Sequence, residues 1–167
     1  MRRIGITGGI GSGKSVVSRL LRIMGYSVYD TDSEAKRLME SSLEVVQKLS
    51  ECFGRDIYHN GRLNRGLLSS RVFGESDKIV LLNSIVHTVV RFDFYRWSES
   101  LNEEICFVES AILYESRFDE LVDEVWTVTA PEELRISRVR QRSGLTEEEI
   151  KKRMAAQLSE EEKQRRA

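Results

Sequence analysis

Short apolar runs and longer amphipathic stretches alternate along this chain. Arg3-Ile4-Gly5-Ile6-Thr7 is an apolar run bounded by glycine, with the composition of a buried parallel strand. From Ser15 the apolar residues Val16, Val17, Leu20, Leu21 and Met24 recur at helical spacing, and Gly25 supplies a stop signal. Tyr26 to Tyr29 reads as a second strand, giving a strand, helix, strand unit of the size of a right-handed parallel crossover. Ile105 to Val108 and Val125 to Val128 are two further short runs, so the pattern predicts a parallel sheet of at least four strands.

The middle of the chain, residues 33–100, carries no convincing strand. It has helical stretches, among them a wide apolar stripe of Ile79, Leu82, Ile85, Val86, Val89 and Phe92, and predicts a helical lobe inserted between the second and third strands. Glu132 to Arg142 and Glu147 to Arg166 read as charge-rich helices, with Pro131 placed to start the first of them. The expected organisation is one unit, with a core over residues 1–32 and 103–131, the lobe over 33–100 and a helical lid over 132–158.

Composition narrows the class. The chain has 167 residues, enough for one substantial core without disulfides or metals. Its charged fraction is 32% yet the net charge is -1, so no basic surface points to nucleic acid. Cys52 and Cys106 lie far apart in apolar settings and are expected to be reduced core residues. No leader precedes the first strand and no apolar run reaches the ~20 residues of a membrane span, so a cytoplasmic protein with no membrane partner is expected.

Gly8-Gly9-Ile10-Gly11-Ser12-Gly13-Lys14-Ser15 matches G-x-x-x-x-G-K-[ST] between the first strand and the first helix, where such a loop wraps phosphates in backbone N–H groups. The helix N-terminus adds its positive end. Gly9, Gly11, Ser12, Gly13, Lys14, Ser15 and Val16 are the expected nucleotide contacts, with Lys14 on the β- and γ-phosphates and the Ser15 hydroxyl on Mg²⁺. The loop alone does not name the chemistry. A GTPase would carry D-x-x-G and N-K-x-D, and neither occurs. A motor or transport ATPase would carry an acidic pair at the end of a long apolar strand, whereas Ile105 to Val108 is followed by Glu109-Ser110. A small-molecule kinase accounts for more of the remaining residues; an ATPase, weakened by that ending, and a nucleotide-binding module without catalysis are the other readings.

Asp30-Thr31-Asp32 stands at the carboxyl end of the second strand, where an acceptor hydroxyl is expected. Two residues apart on an extended segment, both carboxylates would face one way, one handling the hydroxyl proton and the other Mg²⁺; alternatively Asp32 caps the helix through Ala35 and Leu38. Arg138 and Arg142 share a helix face, followed by Ser143-Gly144 as a hinge, an arrangement suited to transient neutralisation of a moving phosphoryl group or simply to a solvated basic face. His87 and Arg91 lie one turn apart on the apolar helix, as acceptor contacts or as packing residues. His59 reads as a turn residue, and Phe92, Phe94, Tyr95 and Trp97 as exposed aromatics that line a pocket or pack helices.

These segments resemble the dephospho-CoA kinases nearly end to end. The opening Ile4 to Ser15 is similar to that family's opening, Asp30-Thr31-Asp32 to its D-x-D and Leu63-Asn64-Arg65 to its L-N-R. Ile85 to Arg91 resembles I-x-H-P-x-V-R, Ala111 to Glu115 resembles P-L-L-[FY]-E, and Arg142 to Thr146 through Arg153 to Gln157 resembles the lid signature. The resemblance implies an α/β fold of the P-loop NTPase, nucleotide-kinase-like kind: three layers, a parallel sheet, an inserted helical acceptor-binding lobe and a helical lid. It implies ATP and Mg²⁺ as cofactors, dephospho-CoA as the acceptor through its ribose 3′-hydroxyl, and a monomer or weak homo-oligomer. Carried over, Asp32 is the base or hydroxyl-orienting carboxylate, acting with Lys14 and Arg142. Asp30, Arg65, His87 and Arg91 take the acceptor, Arg138 and Arg142 the ATP, and Ser15 and Asp32 the metal. Thr88 and Ala111 stand where the family has proline, which puts the backbone stiffness near the acceptor in question. The family continues past the segment resembling Gln157 to Ala167 with a strand and a helix near the adenine, so this segment is expected to bind ATP less well than a longer one.

Overall fold

The computed structural model describes residues 1–167. Strand β1 (Arg2–Thr7) leads through the glycine loop into α1 (Lys14–Ile23), and β2 (Val28–Asp30) follows. Next come α2 (Thr31–Ser41), α3 (Leu43–Phe53), the short strands β3 (Tyr58–His59) and β4 (Arg62–Leu63), α4 (Arg65–Val72) and the long α5 (Ser76–Ser100). The chain ends with β5 (Ile105–Glu109), β6 (Glu124–Thr127), α6 (Glu132–Ser143), α7 (Glu147–Ala155) and α8 (Glu160–Arg166). It divides into two compact units, Met1–Asp30 with Trp97–Ala167, and Thr31–Arg96. No helix is long and apolar enough to cross a membrane.

In the first unit the four strands are all parallel, in the order β2-β5-β1-β6. β5 lies between β1 and β2. Cys106, Phe107 and Val108 are all buried, and an apolar run without alternation takes an interior place in a parallel sheet. Ile4, Phe107 and Val28 share one rung, and Ile6, Glu109 and Asp30 share the rung nearer the carboxyl ends. Ile4, Ile6, Leu21 and Phe107 form a core between sheet and α1, joined by Val17 and Val28. Each fully buried side chain of this kind contributes about 1.5–3 kcal/mol. Of the apolar positions that predicted α1, Leu21 and Val17 face this core, while Val16, Leu20 and Met24 are exposed.

The second unit has its own core. Val45, Leu49 and Phe53 of α3 pack with Ile57, Leu63, Leu68 and Val72, and Leu82, Ile85 and Val89 of α5 close over them. Ile79 and Phe92, expected on the same stripe, are exposed. Phe94 is fully buried rather than an exposed aromatic, and Trp97, in the first unit, packs on Tyr29 with ring centroids 5.2 Å apart. Cys52 is exposed, against the expectation of a core residue, because Val45, Leu49 and Phe53 set the centre of the buried face and leave it at the rim. Both cysteines are free.

The sequence reading missed β3 and β4. They form an antiparallel hairpin pairing His59 with Arg62 across Asn60-Gly61, whose φ values of 49° and 76° are those of a type I′ turn. Strands of two residues are too short for alternation to register, but the Asn-Gly pair was a readable signal. The Tyr58 hydroxyl donates to the Met39 carbonyl at 2.6 Å, tying hairpin to α2; burial, then the Glu40 charge, pushes its pKa up to about 12. The helix expected from Glu147 to Arg166 is two helices, since Ser159 caps α8 by accepting from the Glu162 N–H at 3.2 Å.

Candidate active site

The glycine loop joins the buried end of β1 to α1, and its φ values are the reason for its composition. Gly8, Gly11 and Gly13 have φ of 146°, 79° and 112°. A side chain at Gly8 would also bring its Cβ to 2.2 Å from the Val128 carbonyl oxygen, so only glycine closes the turn there. The Lys14 side chain is buried and folds back across the loop, donating to the carbonyls of Gly8 at 2.7 Å and Gly9 at 3.2 Å. Ser12 is buried with an unpartnered hydroxyl, Ser15 is exposed, and the exposed Val16 gives its N–H to the Gly13 carbonyl.

Beside the loop the sheet places two carboxylates. Glu109 closes β5, is nearly buried, and accepts from the Ser15 hydroxyl at 3.3 Å. Asp30 is its partner in register on β2. Side chains alternate along a strand, so Asp30 and Glu109 lie on the face of Val28 and Phe107, which is the α1 face. Asp30 and Asp32 therefore do not share an extended segment, as the sequence suggested: Thr31 already begins α2 and Asp32 lies in its first turn. The carboxylate paired with Asp30 comes from another strand. An acidic residue ending an apolar run was the available signal for Glu109.

Arg138 of α6 donates to the Gly11 and Ser12 carbonyls, at 3.3 Å each. Arg142, in the last turn of the same helix, is exposed, and its side chain makes no hydrogen bond or ion pair. Gly144 follows with φ 67° as the C-cap. The sequence reading passed over Arg135, although it lies on the same helix face one turn before Arg138. It is buried, donates through Nε to the Ile10 carbonyl at 3.1 Å and pairs with Glu160 at 3.1 Å.

The remaining expected residues belong to the second unit. Asp32 is exposed on α2. In Leu63-Asn64-Arg65 the three residues have different work: Leu63 is in the core, Asn64 caps α4 by accepting from the Leu67 N–H at 3.0 Å, and Arg65 donates to the Lys36 carbonyl at 3.3 Å beside Glu40. His87 and Arg91 lie one turn apart on α5; burial, then the Arg91 charge, lowers the imidazole pKa below its ordinary value. Thr88 leaves α5 unbroken, and its hydroxyl donates to the Ser84 carbonyl at 2.7 Å, so the helix keeps a backbone N–H that proline would remove.

The comparisons with known proteins agree with this geometry. A family model described as dephospho-CoA kinase matches residues 2–167. A dephospho-CoA kinase of Porphyromonas gingivalis is 45% identical over 160 residues, covering 96% of this chain and 79% of the relative. A crystal structure from Thermus thermophilus matches with a TM-score of 0.86 and 38% identity over 99% of this chain and 85% of that one. The dephospho-CoA kinase from Campylobacter jejuni matches with a TM-score of 0.71 and 25% identity, over 100% and 86%. The phosphate loop, the parallel sheet behind it and a family match over nearly every residue lead to one conclusion: this chain belongs to the dephospho-CoA kinase family.

Proposed function

We propose that this chain transfers the γ-phosphoryl group of ATP to the ribose 3′-hydroxyl of dephospho-CoA, the phosphorylation that yields coenzyme A. The observation that carries the reading is the phosphate loop with Lys14 folded across it and the Ser15 hydroxyl 3.3 Å from Glu109. Phosphoryl transfer asks little covalent chemistry of a protein and depends on positioning and charge. Loop N–H groups and Lys14 hold the β- and γ-phosphates. Arg138 and Arg142 neutralise charge as it develops on the transferring group. Asp32 orients the acceptor hydroxyl and accepts its proton, and Asp30, Arg65, His87 and Arg91 hold the acceptor. Ser15 and Glu109 would offer the hard oxygen atoms that Mg²⁺ prefers, and the ion would supply further neutralisation of phosphate charge.

The test is ADP release with ATP and Mg²⁺ against dephospho-CoA, AMP and shikimate, with Lys14→Ala as the control. Dephospho-CoA should be the productive acceptor and Lys14→Ala should abolish turnover while the protein stays folded. Equal turnover by Lys14→Ala, or preference for shikimate or AMP, would refute the proposal.

A further inference from the structure

The backbone amides of the phosphate loop fall into two groups. Gly9 N–H donates to the Glu160 carboxylate at 3.2 Å, Ile10 N–H to the Gln157 side-chain oxygen at 3.2 Å, and Ser12 N–H to the Gly9 carbonyl at 3.1 Å. The amides of Gly11, Gly13 and Ser15 make no hydrogen bond within the chain. Side chains from the far end of the sequence thus occupy the amides of the loop's first half, leaving those near the helix N-terminus for an anion. We propose that Arg135, Gln157 and Glu160 are positioning residues that set the loop's shape for nucleotide before nucleotide arrives.

Glu160 by itself is the wrong charge for this place, since a carboxylate beside an anion-binding loop repels a triphosphate. Arg135 resolves the conflict. Its guanidinium pairs with the second carboxylate oxygen at 3.1 Å, holds the Ile10 carbonyl at 3.1 Å through Nε, and lies directly over Gly9, where a Cβ would stand 2.3 Å from it. The side chains of the pair are only 7% and 16% exposed, so solvent screens neither charge well. Lys163, three residues beyond Glu160, seats the helix: its fully buried ammonium donates to the Ala111 carbonyl at 2.6 Å and lies 3.8 Å from Glu115. Glu115 in turn accepts from the Leu158 N–H at 2.7 Å, fixing the segment between Gln157 and Glu160. The α7–α8 connection is thereby a strap across the outside of the loop, and Arg135 keeps that strap electrically neutral.

The inference rests on the proposed ATP site, and direct ATP binding tests both without an acceptor. Isothermal titration of ATP would compare the parent with Arg135→Met, Glu160→Gln, Glu160→Ala and the double variant Arg135→Met/Glu160→Gln. Arg135→Met leaves a buried, uncompensated carboxylate and should weaken ATP binding by roughly 10- to 100-fold, the scale of one unit charge acting over several Å at an effective dielectric constant near 20. Glu160→Gln keeps an acceptor for the Gly9 N–H and should bind near the parental level; Glu160→Ala removes it and should weaken binding. The double variant should recover most of the loss, because the unpaired charge is gone. That recovery is what a merely structural role would not produce. Equal binding by parent and single variants, or a double variant no better than Arg135→Met, would overturn the inference while leaving the ATP site standing. Should Arg135→Met fail to fold, Glu160→Gln and Glu160→Ala decide it, and equal ATP affinity in both overturns it. No ATP binding by the parent would overturn the proposed function and this inference together.

Discussion

Glu109→Gln isolates one negative charge beside the phosphate loop while keeping size and an acceptor oxygen. The carboxylate is nearly buried and accepts the Ser15 hydroxyl at 3.3 Å. A hydrogen bond to a charged group contributes about 1.5–3 kcal/mol and a neutral one about 0.5–1.5, so the amide should lose on the order of 1–1.5 kcal/mol. That alone is about a five- to tenfold effect at 1.4 kcal/mol per decade. A divalent ion held by the same oxygens adds about 4 kcal/mol per unit charge at 4 Å and effective dielectric constant 20, as an upper bound. The half-saturating Mg²⁺ concentration should therefore rise at least tenfold. ADP release measured across a Mg²⁺ titration at saturating ATP and dephospho-CoA reads it, with most of the parental kcat returning at high Mg²⁺. A parental Mg²⁺ dependence would refute the assignment of Glu109 to the metal. The thermal unfolding midpoint without nucleotide should fall by only about 2–6 °C, the shift that losing about 1–1.5 kcal/mol gives in a chain of this size, and a larger fall would mean damage to β5 rather than a metal role.

Asp32→Asn should lower kcat by about 10²- to 10⁴-fold at every Mg²⁺ concentration, as loss of a positioned base does; near-parental kcat at low Mg²⁺ would reduce Asp32 to a residue of the first turn of α2. Arg142→Ala should lower kcat with little change in ATP affinity by calorimetry, because an arginine without a partner in the fold acts on charge that develops during transfer; an unchanged kcat returns it to the solvated face. His87 has its pKa lowered by burial and then by Arg91, so the folded state keeps the imidazole neutral and the unfolded state takes the proton first as pH falls. Its contribution to stability is full above the ordinary value of 6.5 and is lost as pH drops through the folded value. Urea midpoints from pH 8 to 5 should show that loss, and His87→Phe should remove it; the same slope in the variant would count against the assignment.

Local chemistry was enough for the parts of this protein made within a few residues. The P-loop is legible because the turn after β1 needs backbone conformations that side chains forbid, and glycine at Gly8, Gly11 and Gly13 leaves that mark in the sequence. Buried strands and helix starts are legible for the same reason: Phe107 between Cys106 and Val108, or Pro131 immediately before α6, satisfies a requirement set by near neighbours. The hairpin at Asn60-Gly61 belongs with them, although its strands are too short to show a period. What only the tertiary structure decided depends on groups distant in sequence. Placing β5 between β1 and β2 makes Glu109 the partner of Asp30 and brings it to Ser15, 94 residues away. Placing α8 against β6 buries Lys163 and carries Glu160 to Gly9, across 151 residues. In the sequence these residues sit in charged stretches that read as solvated faces. A buried charge is recognisable only with its partner, and the fold alone supplies the partner.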